Sequence, residues 1–393
     1  MAMAAVIDGP TAASSASRIA RVEIFPDMKA AEAIWRSLEA PEHLSTPYQR
    51  FDLQSAWQSH VGEREGVQPL IVVAWDTAGA PLLLLPLGLR HDNGMAVAGY
   101  LGGKHFTFNM PLWRRDFAAT AGRADMDALL SGIRQHDARI DVLALARQPQ
   151  HWLGIANPLA LLPSQASTNE CPVLKMVPGA APNDRLGSSM RKRLKTKERK
   201  YDGLPGYRYI QAQSEAEIAR VLDAFFAIKP LRMAEQNLPN VFAEPGVEAF
   251  IREACTAPCA GGHAIDLHAL VCDEEVIAMF AGVTDAGRFS MMFNTYTMSE
   301  NSKYSPGLIL MRTIIDAHAE RGVTSLDLGI GGDDYKRMFC KDDELIFDSF
   351  LPLTARGRLG AIGLASFAHA KRIVKQSPAL MQMAQRLRSA FQR

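Results

Sequence analysis

Twice along this 393-residue chain the hydrophobic pattern runs through one order of elements: helices, a three-strand meander, a further helix, then a single strand. In the first pass, strand-like runs at 69–75, 82–90 and 95–101 are separated by Asp76-Thr77-Ala78-Gly79 and by a second turn at 91–94. Such turn residues join antiparallel neighbours. A helical pattern at 124–136 and a strand at 140–146 follow. In the second pass, helices at 215–233 and 246–255 precede strands at 267–272, 276–284 and 288–297, then a helix at 306–321 and a strand at 325–328. The repeated order predicts a tandem duplication. The expected fold class is α/β (α+β), with each unit a mostly antiparallel mixed sheet flanked by helices.

The bulk numbers exclude little: 48% hydrophobic residues, 22% charged and a formal net charge of +1 are ordinary for a globular protein. Charge distribution says more. After Asp348 there is no further Asp or Glu, while Arg356, Arg358, Lys371, Arg372, Lys375, Arg386, Arg388 and Arg393 follow. A basic tail attracts anionic surfaces, so peripheral membrane contact at the inner face of the membrane is an expectation. Five cysteines, an odd number, suggest reduced thiols and a cytoplasmic location. The expected divisions are a disordered leader at 1–18, a first domain at 19–152, a linker or crossing segment at 153–184, a second domain at 185–353 and basic C-terminal helices at 354–393. Two tail helices are expected, at 364–376 and 378–391.

Chemistry concentrates at 301–341. A helix opening at Ser305-Pro306-Gly307 directly after a strand offers backbone N–H groups and a positive dipole end to an anion. Lys303 could add a point charge to a phosphate. Downstream, the strand carries Asp327 between Leu326 and Leu328, a position from which a carboxylate could face a cleft. A glycine turn then leads to Tyr335 and Lys336. No Walker loop, no G-x-S-x-G elbow and no H-E-x-x-H helix is present. Cys255, Cys259 and His263 lack an evident fourth ligand, so no metal is expected. The basic run Arg191, Lys192, Arg193, Lys195, Lys197, Arg199 and Lys200 could receive an anionic acceptor, or be a solvated helix. It has no interleaved aromatic residues, and no DNA partner is expected.

Four segments carry a resemblance to a known family: Gln54-Ser55-Ala56-Trp57 with residues 82–87, GSSMRKRLKTKERKY at 187–201, YSPGLIL at 304–310, and DLGIGGDDYKRMF at 327–339. They resemble the GNAT acyltransferase superfamily, and within it the CelD-like acetyltransferases of cellulose and exopolysaccharide synthesis, related to FemAB-type transferases. The resemblance implies tandem GNAT-like domains, the first degenerate, with acetyl-CoA (acyl-CoA) as co-substrate. It implies a saccharide or cell-envelope acceptor attacking the thioester directly. Tyr335 would protonate the leaving thiolate, and Asp327 would orient or deprotonate the acceptor. Lys303, Tyr304, Ser305, Pro306 and Gly307, with Phe293, Asn294 and Thr295, would hold the donor. Lys336, Arg191 and Arg193 would bind the acceptor. The loop at 301–307 departs from the family pattern in having one glycine. Aminoacyl transfer onto a peptidoglycan precursor, or a non-catalytic scaffold, are the alternatives.

Overall fold

The computed structural model describes residues 16–136, 140–259, 262–285, 287–331 and 334–377. The leader up to residue 15, the tail helix expected at 378–391, and Gly332 and Asp333 lie outside the described residues.

In chain order the first part runs β1 (Arg21–Phe25), α1 (Met28–Leu38), α2 (Phe51–Trp57), β2 (Gln68–Trp75), β3 (Pro81–Asp92), β4 (Met95–Tyr100), α3 (Arg123–Gln135) and β5 (Val142–Pro149). Two short strands follow, β6 (Gln165–Ala166) and β7 (Cys171–Lys175). The second part runs α4 (Ser188–Glu198), β8 (Arg208–Gln211), α5 (Glu215–Glu235), α6 (Val247–Thr256), β9 (Asp266–Val271), β10 (Val276–Thr284), β11 (Arg288–Tyr296) and α7 (Pro306–Glu320). It ends with β12 (Ser325–Asp327), α8 (Asp334–Phe339), β13 (Asp342–Glu344), β14 (Ile346–Pro352) and α9 (Ala355–Gln376).

Local chemistry accounts for several boundaries. Asp27 caps α1 by accepting from the Lys29 amide, and Ser214 with Glu217 forms a capping box on α5. Pro306 occupies the first turn of α7, where a missing N–H costs nothing.

The strands form two large sheets of matching order. The first runs β1-β2-β3-β4-β5-β14-β6, with the short strand Leu112–Trp113 beside β3. The second runs β8-β9-β10-β11-β12-β7-β13. In each, one neighbouring pair is parallel, β4 with β5 and β11 with β12, and the others are antiparallel.

Two strands cross over. β7, in the segment expected to link the units, lies in the second sheet between β12 and β13, with Val173 opposite Asp327. β14, expected within the second domain, lies in the first sheet beside β5. Each half thus completes its sheet with a strand from the other, and sheet membership departs from the divisions at 153–184 and 185–353. The last described helix, α9, begins at Ala355 rather than 364 and rests on β5 and β14. A continuous buried apolar cluster spans both halves, joining Trp35, Trp57 and Phe106 to Phe225, Phe250 and Phe293. Burying that surface stabilises both halves together.

Candidate active site

Where β11 leaves β12, a gap opens in the second sheet. The parallel pairing covers only Arg288, Phe289 and Ser290, and β11 then continues to Tyr296 beside β10. Between Ala281 and Gly282 the register shifts, so Met292 has no opposite residue and forms a bulge. Beyond it, strand alternation turns the backbone of Asn294 and Tyr296 away from β10. The Asn294 carbonyl accepts from Lys229 Nζ at 3.0 Å, and the Tyr296 carbonyl from Arg232 Nε at 2.7 Å.

The start of α7 faces this gap. Its cap residue Ser305 adopts φ 61°, ψ 53°, a left-handed conformation uncommon outside glycine. The Ser305 side chain does not cap the helix, and the first turn holds no acidic residue. Instead its hydroxyl accepts a hydrogen bond from Lys197 Nζ at 2.6 Å. The preceding turn is organised by Glu275, whose carboxylate accepts from Thr297 Oγ1 (2.6 Å), Ser299 Oγ (3.1 Å) and Asn301 Nδ2.

A cavity of about 310 Å³ lies here, bordered by Asn294, Thr295, Ser305, Pro306, Gly307 and Tyr335 among others. Five of these six are residues expected to hold the donor, and Tyr335 is the expected acid. Phe293 is not among them; it packs on Phe225 with ring centroids 4.8 Å apart and borders a second cavity. Lys303 and Tyr304 border neither cavity. Lys303 is exposed and pairs with Glu300 at 3.4 Å, and Tyr304 stands edge-on to Tyr201.

The second cavity, about 260 Å³, lies between the halves. The first half contributes residues 104–107. The second contributes Lys229, Phe242 and Phe293, the turn at Gly329, and Lys336. Asn294 and Tyr335 border both cavities, and the Tyr335 hydroxyl lies 3.5 Å from Asn294 Nδ2. Lys336 is 4% exposed, its ammonium donating to the carbonyls of Gly329 (3.3 Å) and Ile330 (2.9 Å). His105 accepts from Trp57 Nε1 on its Nδ1 at 3.0 Å, and burial pushes its pKa below the usual imidazole value. It is therefore neutral near pH 7, with the ring proton on Nε2.

Besides Lys303 and Tyr304, three further expected site residues lie away from both cavities. Asp327 is fully buried and borders neither cavity. It accepts from Ser290 Oγ at 2.5 Å and from the Gly329 amide at 3.0 Å, and lies 3.4 Å from Arg288 Nε. Arg191 is locked to Asp316 by two bonds of 2.6 and 2.7 Å, tying α4 to α7. Arg193 is exposed and borders neither cavity. Conversely Lys229 and His105 border the second cavity, and Lys197 reaches Ser305 at the edge of the first. Lys197 is one of seven cations in the basic run, with nothing local to set it apart, and the other two carry no local signal.

The corresponding helix of the first sheet, α3, differs at its start. Asp125 in its first turn is 5% exposed and accepts from the Gly122 amide (3.0 Å) and the Arg18 amide (2.8 Å). A carboxylate of the chain itself occupies the anion position there. The edge of β5 is also covered, since Asn109 bonds the carbonyls of Arg147 (3.0 Å) and Ala146 (3.1 Å). Among the described residues no group of three or more His, Cys, Asp or Glu side chains is placed to hold a metal.

Comparison with known proteins agrees with this geometry. Residues 188–337 match the family model of the acetyltransferase (GNAT) domain. No curated protein sequence matches the chain. Among solved structures, a C-terminal domain of the lysylphosphatidylglycerol synthetase type from Agrobacterium fabrum is similar, with TM-score 0.50 and 10% identity, over 86% of this chain and 96% of that one. A protein of unknown function from Bacteroides thetaiotaomicron matches with TM-score 0.50 and 10% identity, over 85% and 100% of the two chains. FemX matches with TM-score 0.50 and 7% identity, over 78% and 96%. Identities this low speak for fold alone. Residues 188–337, which hold the gap in the second sheet, the start of α7 and Tyr335, are thus the part of this two-sheet α/β chain that matches the GNAT acetyltransferase domain.

Proposed function

We propose that this chain is an acyltransferase that takes an acyl group from acyl-CoA and passes it to a hydroxyl or amine of a saccharide or cell-envelope precursor. The observation that carries the reading is the junction of two cavities at Asn294 and Tyr335, one of them opening on the start of α7. The acceptor class rests on the CelD-like resemblance, and acetyl is the acyl group that the resemblance names.

The donor supplies a thioester. In this reading its phosphates approach the Gly307 amide and the positive end of α7, and its arm runs along the open edge of β11. The acceptor enters between the halves, past residues 104–107 and Lys336. Its oxygen or nitrogen attacks the thioester carbonyl. Backbone N–H groups of β11 beyond the bulge stabilise the oxyanion. The new C–O or C–N bond forms as the C–S bond breaks. The Tyr335 hydroxyl gives its proton to the thiolate, and the acceptor's proton leaves through water. Asp327 has no part in this version, being sealed beneath the turn.

The test is Tyr335→Phe. Thiol release from acetyl-CoA with a panel of saccharide acceptors should fall about a hundredfold, while calorimetric affinity for acetyl-CoA stays within about twofold. Unchanged turnover would remove Tyr335 from the acid role. Transfer that requires charged tRNA and ignores acetyl-CoA would replace the proposal with aminoacyl transfer.

A further inference from the structure

The start of α7 offers a phosphate few partners. Pro306 has no N–H, and the Leu308 and Ile309 amides both bond back to the Ser305 carbonyl. That leaves the Gly307 amide, a thin cradle beside a loop with one glycine. A second cation, from outside this loop, stands at the same place. Lys197 sits at the end of α4, half-buried, and reaches Ser305 Oγ at 2.6 Å.

The neighbours of Lys197 show why it is held there. Arg191 on Asp316 and Arg312 on Glu198 (2.7 Å) fasten α4 along α7 at two levels. Those two arginines are spent on carboxylates, whereas the Lys197 ammonium rests on a neutral hydroxyl. Ser305 in turn borders the donor cavity, so a charge at Lys197 lies one hydroxyl away from it. An independent feature also points to a ligand in this cavity. Thr295 borders it, is only 4% exposed, and its hydroxyl has no hydrogen-bond partner among the described residues. A buried hydroxyl without a partner costs free energy that a bound amide or carbonyl group would recover.

We propose that Lys197, together with the Ser305 hydroxyl, binds a phosphate of the acyl donor, replacing the multi-glycine loop this chain lacks. Thr295 contacts the polar arm that follows the phosphate. The inference rests on the acyl-CoA reading above and deepens it: the donor is recognised as a phosphorylated pantetheine thioester. The left-handed backbone at Ser305 fits this role, because it presents the hydroxyl to α4 instead of to the helix's own amides.

Calorimetric titration of the full chain tests this with acetyl-CoA, S-acetyl-4′-phosphopantetheine and S-acetylpantetheine. Lys197→Met should weaken acetyl-CoA about ten- to hundredfold and leave S-acetylpantetheine unchanged, the loss expected for a charged hydrogen bond. Lys197→Arg, which keeps the charge, should restore most of the affinity. Salt should weaken acetyl-CoA binding in the wild type more than in Lys197→Met. If the phosphopantetheine thioester behaves like acetyl-CoA, the contact is to the phosphate nearest the arm; if like S-acetylpantetheine, to a phosphate further out. Equal loss for all three ligands, or no loss for any, would overturn the role of Lys197 while leaving the acyltransferase reading in place. Failure of the wild type to bind acetyl-CoA would bring down both.

Discussion

Asp327 shows what a single residue can hide. Its alternation with Leu326 and Leu328 places it inward, and inward reads as cleft when only one neighbouring strand is in view. In the fold β12 is flanked by β11 and by β7, and β7 comes from far upstream, so inward means core. Burial raises the Asp327 carboxyl pKa, while Arg288, the Ser290 hydroxyl and the Gly329 amide oppose that shift. Arg288, itself 4% exposed, also bonds Glu344 at 2.7 Å and lies over the Trp152 ring, 4.7 Å from its centroid. The carboxylate therefore serves to seat an arginine at the junction of the halves. Removing one partner of a buried pair leaves the other uncompensated. Asp327→Ala should cost about 3–5 kcal/mol in denaturant titration. Turnover per folded molecule should stay within about threefold, against the hundredfold or more that loss of a general base produces. A stable Asp327→Asn protein with turnover down a hundredfold would return Asp327 to the chemistry.

At the scale of elements, the repeated order was legible because local pattern sets helices and strands. Sheet membership was not, because β7 and β14 pair with strands far away along the chain. The site divides along the same line. Ser305, Gly307, Asn294 and Tyr335 share a stretch and could be read together. Lys197, Lys229 and His105 meet it only through tertiary contacts. The docking of α9 on the first sheet belongs to this non-local class and can be tested. Thr354 caps the helix, and Arg356 bonds Asp141 at 2.6 Å. Gly357 lies so close that an added Cβ would stand 1.9 Å from the Asp141 carbonyl oxygen. Backbone cannot yield as a flexible side chain can, so Gly357→Ala should loosen α9 and hasten proteolysis within residues 355–377 at least tenfold. Unchanged proteolysis would show that the helix does not depend on this approach. Asp141 adds a pH dependence. Arg356, the Thr354 hydroxyl and the Ala96 amide lower its pKa to about 2, from the ordinary 3.8. A lowered carboxyl pKa stabilises the fold above the ordinary value, and that contribution is lost as pH falls from about 4 to about 2. Asp141→Asn should flatten stability over that window, measured by thermal melts at stepped pH.

The whole molecule carries charge and apolar surface unevenly, and both meet on α9. Its inner side packs through Gly357, Gly360 and Ala361. Outward it exposes Leu359 (77%), Ile362 (63%), Phe367 (69%) and Ile373 (48%), with Arg358 and Lys371 also exposed and Arg372 half-buried. From residue 349 to the last residue the sequence has no acidic side chain to offset that charge. No helix among the described residues is long and apolar enough to cross a membrane. An apolar face flanked by cations, fixed on a folded body, suits the headgroup boundary of an anionic bilayer, where acyl chains cover the apolar side chains and the cations reach lipid phosphates. The full chain should co-sediment with vesicles containing phosphatidylglycerol and far less with pure phosphatidylcholine. Raised salt should release it, because surface attraction is screened within about 10 Å at 0.1 M. Leu359→Glu with Phe367→Glu should abolish sedimentation and leave turnover on a water-soluble acceptor unchanged, since neither side chain borders the two cavities. Equal binding to neutral vesicles would remove the electrostatic half of the argument. Retained binding by the double variant would show that the attachment lies elsewhere on the chain.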